Sequence, residues 1–403
     1  MRLKILILSV AIICLTLSSF SQTKFNGRVI SAIDKQPISN VSISLQGKDI
    51  GTVTNDEGRF SLIAPVSPSD SLAIDYLGYK SQKISLANFN ISTGIVIQLD
   101  TLVQQLKEVT IKPLTLRQLL DSITLHNQKA FLSPMKLNGY YREFVYTNKK
   151  CTEYADALTS YFRGTNKLSD DGQLKIIASR CAEAKVDNKD KDKSAVKEFY
   201  IDSKVPPNKL FEYAMFYGML DKYFPVESLK DFTYTMQSIE NSTDLVVTIT
   251  PKPTVDDKYS RVTFHLTDDF TLQSFRLDVD PKHIQNLPER SFLGIHVKVL
   301  NRYLEVNYER SGNKIYPKFY KFNVAIHIGG KFLGTVFDQT YNPRSEYVTT
   351  DINTTDLKPF ARSEVYKKGN LCNNGAAIND ALLKEHNFIT PSRKDSLAIS
   401  EMR

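Results

Sequence analysis

The sequence predicts a mainly β chain, α+β in its second half: an N-terminal seven-stranded β-sandwich followed by a curved antiparallel sheet with covering helices. Three patterns carry that expectation. Up to about residue 100, short β-branched runs alternate with turn clusters at the roughly 8 to 12 residue spacing of small sandwiches. Beyond Tyr140, apolar and polar residues alternate, as in Phe275–Asp280 and Leu304–Tyr308, which marks strands wet on one face only. Two stretches, 115–131 and 209–224, instead repeat apolar residues every three or four positions, the helical period.

Residues 1–21 read as a secretory signal peptide. Arg2 and Lys4 form the cationic start, Ile5–Leu17 is apolar except at Ser9 and Thr16, and Ser19 and Ser21 flank Phe20 as cleavage requires. A retained anchor is the rival, but this apolar run is shorter than the roughly 20 residues a bilayer needs. A lipid-modified Cys14 is a third option, opposed by the bulky Ile13 before it. No transmembrane helix is expected once the leader is removed.

Residues 22–100 form the predicted sandwich. Phe25–Ile30 opens it, and Val41, Ile43 and Leu45 alternate with serines. Gly51–Thr54 and Phe60–Ile63 flank a turn and read as a hairpin. Ser71–Tyr76 and Ile95–Leu99 complete the set. Gly27, Gly51, Asn55, Asp56, Gly58 and Gly78 are the expected structural turn residues. A carboxylate site at the hairpin tip is the functional alternative for Asp56.

These positions carry a resemblance. Gly27-x-Val29, Pro37-Ile38, Val41-x-Ile43, the run Gly51–Phe60 and Gly78-Tyr79 resemble the carboxypeptidase regulatory-like domain. Gln105–Ile111 is similar to the segment that often follows this domain ahead of a TonB-dependent receptor plug. The resemblance implies a prealbumin-like sandwich common in envelope proteins of two-membrane bacteria, hence the periplasm or the periplasmic face of the outer membrane. It implies docking and binding, without catalysis.

A linker, 101–114, leads to a second domain, 115–360. Thr115 and Gln118 have the spacing of a capping box, and Leu116, Leu119, Leu120 and Ile123 follow on one face. A second helix, 209–224, interrupts the strands. The order of helix, strands, helical insertion and meander resembles the half-barrel of outer-membrane lipoprotein carriers, with Tyr140–Glu143 and Tyr316-Pro317 as the matching positions. That resemblance implies a concave face that either holds an apolar ligand or is a packed core. Residues 361–403 are expected to give a short helix near Ala376–Glu385 and a polar tail from Pro391, either helical or mobile.

The formal charge is +8, of which the leader contributes Arg2 and Lys4, and the rest is scattered. Asp187–Lys193 alternates in sign, so it neither tracks phosphates nor repels itself. Nucleic acid is not an expected partner; other envelope proteins, or an apolar, lipid or glycan ligand, are. Beyond the leader, Cys151, Cys181 and Cys372 permit one disulfide of undetermined pairing. No His-Glu-x-x-His helix, Gly-x-Ser-x-Gly elbow, Walker loop or dinucleotide turn occurs, and His265-x-x-Asp268 reads as a surface pair. No catalytic, metal or cofactor residue is therefore assigned, and the expectation is a non-enzymatic envelope protein. The alternatives are an envelope hydrolase, a small outer-membrane barrel, or a truncated relative of TonB-dependent receptors.

Overall fold

The structure is a computed structural model. It describes residues 22–67, 69–87, 94–101, 107–108, 114–167, 172–184, 207–218, 220–239, 242–332, 334–353, 355–367 and 371–402. The leader and the Asp187–Lys193 segment lie outside the described residues.

Seven strands build the first module: β1 (Gln22–Ser31), β2 (Ser42–Leu45), β3 (Gly51–Val53), β4 (Arg59–Pro65), β5 (Ser71–Asp75), β6 (Gln82–Ser85) and β7 (Ile95–Leu99). They form two sheets, β4-β1-β7 and β3-β2-β5-β6. Phe25, Val29, Val41, Ile43, Leu62, Leu72 and Ile97 fill the space between them. Gly27 is a point of close approach. A Cβ there would lie 2.5 Å from the Phe60 ring and 2.6 Å from Ile95, so only glycine lets β1 sit between those side chains.

The expected hairpin of Gly51–Thr54 with Phe60–Ile63 is not formed. β3 pairs with β2, whereas β4 pairs with β1 in the opposite sheet, so the chain arches between layers at Asn55–Gly58. Thr54 causes the departure. Its hydroxyl donates to Ile38 O (2.7 Å) and accepts from Val41 N (2.9 Å), which pins the strand to its own sheet. Asn55 Oδ1 then accepts from Glu57 N and Arg59 N, both at 2.9 Å, and Gly58 turns the chain at φ 71°.

Residues 107–108 are not purely linker. They form β8 (Lys107–Glu108), which pairs with residues 237–238. Helix α1 (Leu116–Ala130) starts at a capping box made by Thr115 and Gln118. Three long strands follow, β9 (Met135–Thr147), β10 (Lys150–Arg163) and β11 (Gln173–Glu183). The second helix is broken into α2 (Pro207–Ala214), a 3₁₀ turn at Phe216–Gly218 and α3 (Leu220–Tyr223). The tightening is visible in the i→i+3 bonds Met215 N to Glu212 O and Gly218 N to Met215 O, beside a glycine of poor helix propensity.

A meander closes the order: β12 (Phe232–Ser238), β13 (Leu245–Pro251), β14 (Ser260–Leu266), β15 (Leu272–Val279), β16 (Glu289–Phe292), β17 (Ile295–Ser311), β18 (Lys314–Phe332) and β19 (Thr335–Asn353). The last pieces are β20 (Ala376–Ala377), α4 (Asp380–Leu383) and α5 (Arg393–Met402). β19 returns to pair with β9, giving the order β20-β11-β10-β9-β19-β18-β17-β15-β14-β13-β12-β8, with β16 on β17. Among the described residues this order is open, ending at β8 and β20 rather than closing into a barrel. The polar tail takes the helical alternative, as α5. Ala398, Ile399 and Met402 of α5 pack against Phe144, Cys151 and Tyr154, which gives the helix an apolar seat.

The concave face is a packed core. Leu119, Leu120 and Ile123 of α1 meet Leu266, Leu272 and Phe275 of the sheet. Phe211 stacks on Tyr161 with ring centroids 3.8 Å apart and meets Tyr320 and Tyr347 edge-on.

Candidate functional site

The outer face of the sheet is where charge collects. On β9, Leu137 and Tyr141 enter the core, so the two-residue period turns Tyr140, Arg142 and Phe144 outward. Register then aligns seven charges on neighbouring strands. They are Arg180 on β11, Asp156 on β10, Arg142 on β9, Glu346 on β19, Lys321 on β18, Glu305 on β17 and Arg276 on β15. The sign alternates at every step. In the open, each opposite-charge cross-strand pair is worth roughly 0.2–1 kcal/mol. The middle of this ladder is buried, which raises the cost of breaking it.

Arg142 is 2 % exposed, and its Nε donates to Glu346 Oε2 at 2.7 Å. Asp156 is fully buried and accepts from Tyr140 OH (2.9 Å), Tyr154 OH (2.7 Å) and both arms of the Arg180 guanidinium (3.1 and 2.6 Å). Burial alone would raise the Glu346 carboxyl. The charges of Arg142, Arg344 and Lys321 outweigh it and hold that carboxyl well below the usual range.

The sandwich and the C-terminal segment cover the ladder. Asp56, at the arch, pairs with Arg344 (3.2 Å) and Lys321 (3.5 Å). Asp395 pairs with Arg344 at 3.0 Å and lies 3.8 Å from Arg142. Asn387 brackets Ile63 with two backbone bonds (2.7 and 2.9 Å), and Glu57 accepts from Arg393 N at 2.8 Å. Val53 enters an apolar cluster with Tyr140, Phe319, Val348 and Ile389. The two modules are thus joined by buried apolar, ionic and backbone contacts together.

Beside this clasp lies a cleft of about 630 Å³ between the sandwich and the sheet. Lys318, 2 % exposed, forms its floor and faces Glu309 Oε2 at 3.1 Å. The pair is misaligned for a hydrogen bond, and neither Lys318 Nζ nor Glu309 Oε2 has a hydrogen-bond partner; nor does Ser42 Oγ on the opposite wall. Asp75 is solvent-accessible in the cleft, yet the enclosing walls and the Glu309 charge push its carboxyl up against the effect of Ser81. Tyr76 and Tyr79 line the sandwich side with ring centroids 5.7 Å apart.

The predicted turn residues fall in different places. Asn55, Asp56 and Gly58 shape the arch, and Asp56 is also an ion-pair partner of the sheet. Gly51 lies under the cleft, where a Cβ would come within 2.6 Å of Lys318 Nζ. Gly78 turns between the two cleft tyrosines at φ 82°. Gly27 is in the sandwich interior, away from the junction.

Arg142, Glu346, Lys318 and Glu309 were not singled out from sequence as site residues. One signal was available: Ser392-x-x-Asp395 has the form of a capping box. In the structure Asp395 N donates to Ser392 Oγ (3.1 Å) and Ser392 N to Asp395 Oδ2 (3.2 Å).

His265 is not the expected surface pair with Asp268. It lies half-buried on β14 with an unbonded Nδ1, and burial, then Arg276, lower it to about 4. His283 is a satisfied core residue, bonded to Asp280 (3.0 Å) and Lys252 O (3.1 Å). Among the described residues no cluster of three His, Cys, Asp or Glu side chains is placed to hold a metal ion. Among them, too, no helix is long and apolar enough to cross a membrane. Cys181 and Cys372 form a disulfide, with Cα atoms 6.0 Å apart, and Cys151 is free and buried.

A comparison with curated proteins finds no match. Among solved structures, the chain is similar to a DUF1329 family protein from Desulfovibrio piger. That likeness has 8 % identity and a TM-score of 0.24, covering 62 % of this chain and 99 % of that one. It is also similar to a putative membrane-associated protein of unknown function from Bacteroides fragilis, at 8 % identity and a TM-score of 0.16, covering 83 % and 99 %. A third is a 9R-lipoxygenase from Cyanothece, at 10 % identity and a TM-score of 0.17, covering 82 % of this chain and 42 % of that one. Likenesses of this depth say nothing about activity. The family comparison is more specific: residues 25–111, which span the sandwich, match the model of the CarboxypepD_reg-like domain.

Proposed function

We propose that this chain is a non-enzymatic binding protein of the bacterial cell envelope. Its sandwich is the docking module and its half-barrel is the scaffold. One observation carries the choice of scaffold over apolar-ligand carrier: the concave face is occupied by the protein's own side chains. Phe211 fills the space over Tyr161, Tyr320 and Tyr347, and Phe216 stacks on Phe275 at 4.3 Å. An acyl chain there would have to displace a stacked aromatic cluster. The Cys181–Cys372 disulfide fits an oxidising compartment. Together with the cationic, apolar leader it supports export to the periplasm or to the periplasmic face of the outer membrane.

The test is extraction of the purified full chain with organic solvent, followed by mass spectrometry and titration with an apolar fluorescent dye. The expected result is no stoichiometric lipid and no saturable dye binding. Stoichiometric co-purified lipid would establish the carrier reading instead.

A further inference from the structure

We propose that the free end of the β16–β19 ribbon is a membrane contact. The turn at Leu293-Gly294, with Val336 and Lys331 beside it, enters the headgroup layer of a phospholipid bilayer. The inference rests on the envelope reading above and names the face that meets the membrane. Backbone conformation, exposure, charge and contact area lead to it.

The sheet narrows toward this end. β15 shares its last rung with β17 at Asp278 and Tyr303, and the turn after β9 reaches β19 as far as Thr340. Thr340 is opposite His327. From there to Phe332, roughly 17 Å at about 3.4 Å per residue, β16, β17, β18 and β19 pair only with one another among the described residues. Ile326, Ile328 and Phe337 form an apolar cluster of their own on this ribbon, which stiffens it. At its end, Lys331 N donates to Gly294 O at 3.0 Å, so the β16–β17 turn lies against the end of β18. Val336 is opposite Lys331 on β19.

For folding alone, Leu293 is a poor choice at this turn. Leu293 and Gly294 have φ of 48° and 80°, the paired left-handed conformations of a type I′ turn. Asn or Asp before Gly suits that turn, whereas the leucine Cβ is strained there. Packing does not offset the strain. Leu293 is 63 % exposed and Val336 is 64 % exposed. An apolar side chain held in a strained conformation and pointed at solvent is the kind of local conflict that marks a functional position.

Charge and area select the partner. Of the acids near the tip, Asp338 faces His327 at 2.8 Å and Glu289 faces Lys298 at 3.9 Å. Lys331 and Arg290, both exposed, have no such partner among the described residues. Free cations around an apolar point match a surface of phosphates backed by hydrocarbon. A protein partner fits less well. A stable protein interface buries about 800 Å² on each side, whereas this narrow end offers two exposed aliphatic side chains. A bilayer needs no such area, because a few apolar side chains and cations suffice for reversible attachment.

The experiment is flotation of the mature chain, residues 22–403, so that the apolar leader plays no part. The vesicles are phosphatidylethanolamine with about one quarter phosphatidylglycerol. The parent is expected to float with them, and added salt to weaken the binding without abolishing it, since salt screens the cations and not the apolar contact. Leu293→Asn is expected to weaken binding about tenfold, as for loss of one buried leucine. The same change is expected to raise the urea midpoint, because asparagine suits the left-handed turn. Lys331→Gln is expected to cost about fivefold at low salt and little at high salt. Val336→Thr keeps a β-branched strand residue and is expected to weaken binding without unfolding the ribbon. A parent that does not float overturns the inference, as does binding that neither Leu293→Asn nor Val336→Thr weakens. A Leu293→Asn protein less stable than the parent overturns it too, by making the leucine a packing residue. So does self-association in sedimentation that Leu293→Asn abolishes, which would give the tip to a second copy. Those results leave the scaffold reading standing, whereas stoichiometric co-purified lipid removes that reading itself.

Discussion

Replacing Glu346 by glutamine should be the most damaging isosteric change on the outer face of the sheet. Three cations converge on this carboxylate. Arg142 lies at 2.6 Å through Nη2, Lys321 at 3.5 Å and Arg344 at 3.8 Å. Asp395 and Asp56 supply the other negative charges, so three cations face three anions. Glutamine keeps the shape and removes one charge, leaving Arg142, 2 % exposed, without its close partner. Removing one member of a buried pair costs about 3–5 kcal/mol, because the partner stays buried and uncompensated. Urea denaturation followed by circular dichroism is the suitable assay, since a salt denaturant would screen the charges being measured. The double variant Arg142→Met, Glu346→Leu should recover most of the loss, because it removes both desolvated charges together. pH supplies an independent reading. The folded-state Glu346 carboxyl is depressed, so its contribution is complete above the unfolded glutamate value of about 4.3 and lost as pH falls below it. A Glu346→Gln protein within about 1 kcal/mol of the parent would refute the reasoning, because that is the worth of an exposed ion pair.

Three further outcomes are expected. Cys181→Ser/Cys372→Ser should lose about 2–5 kcal/mol, since the bridge closes a separation of 191 residues. Equal denaturation midpoints for the parent with and without reductant would contradict this. Cys151 should stay unlabelled by thiol reagents meanwhile, because burial pushes its thiol up to about 11. His265 should titrate near 4 when its ring protons are followed by NMR. The unfolded chain takes up that proton first, so stability should fall as pH drops from about 6.5 through 4. A midpoint at the ordinary histidine value would remove the effect.

Local chemistry was legible in the sequence wherever a few neighbouring residues settle it. The Thr115–Gln118 box starts a helix, Val41, Ile43 and Leu45 face one core, and Phe275–Asp278 alternates as a half-buried strand should, although the expected repeat breaks at Asp280, a buried cap beyond the strand end. The arch at Asn55 was misread because its turn residues suit a hairpin equally well. The choice was made by the Thr54 hydroxyl, whose partners lie 13 and 16 residues away. The ladder is hidden for a stronger reason. Arg142 and Glu346 are 204 residues apart and become neighbours only through the return of β19 to β9. Each member, seen alone, looks like one more polar residue on a wet face. The cleft is harder still, because its wall and floor come from different modules.

Tyr366 and the residues from Leu371 to Ile378 lie along the outermost long strand, β11. Tyr366 N bonds to Leu174 O, Ile378 N to Ser179 O, and Ser179 Oγ to Asn374 O, with the disulfide from Cys181 to Cys372 between them. An uncovered strand edge is a template on which another polypeptide can add itself. This strap occupies the template with the protein's own backbone, and the sulfur link keeps it from peeling away. Under reducing conditions, therefore, self-association should begin along β11 before the interior of the molecule comes apart.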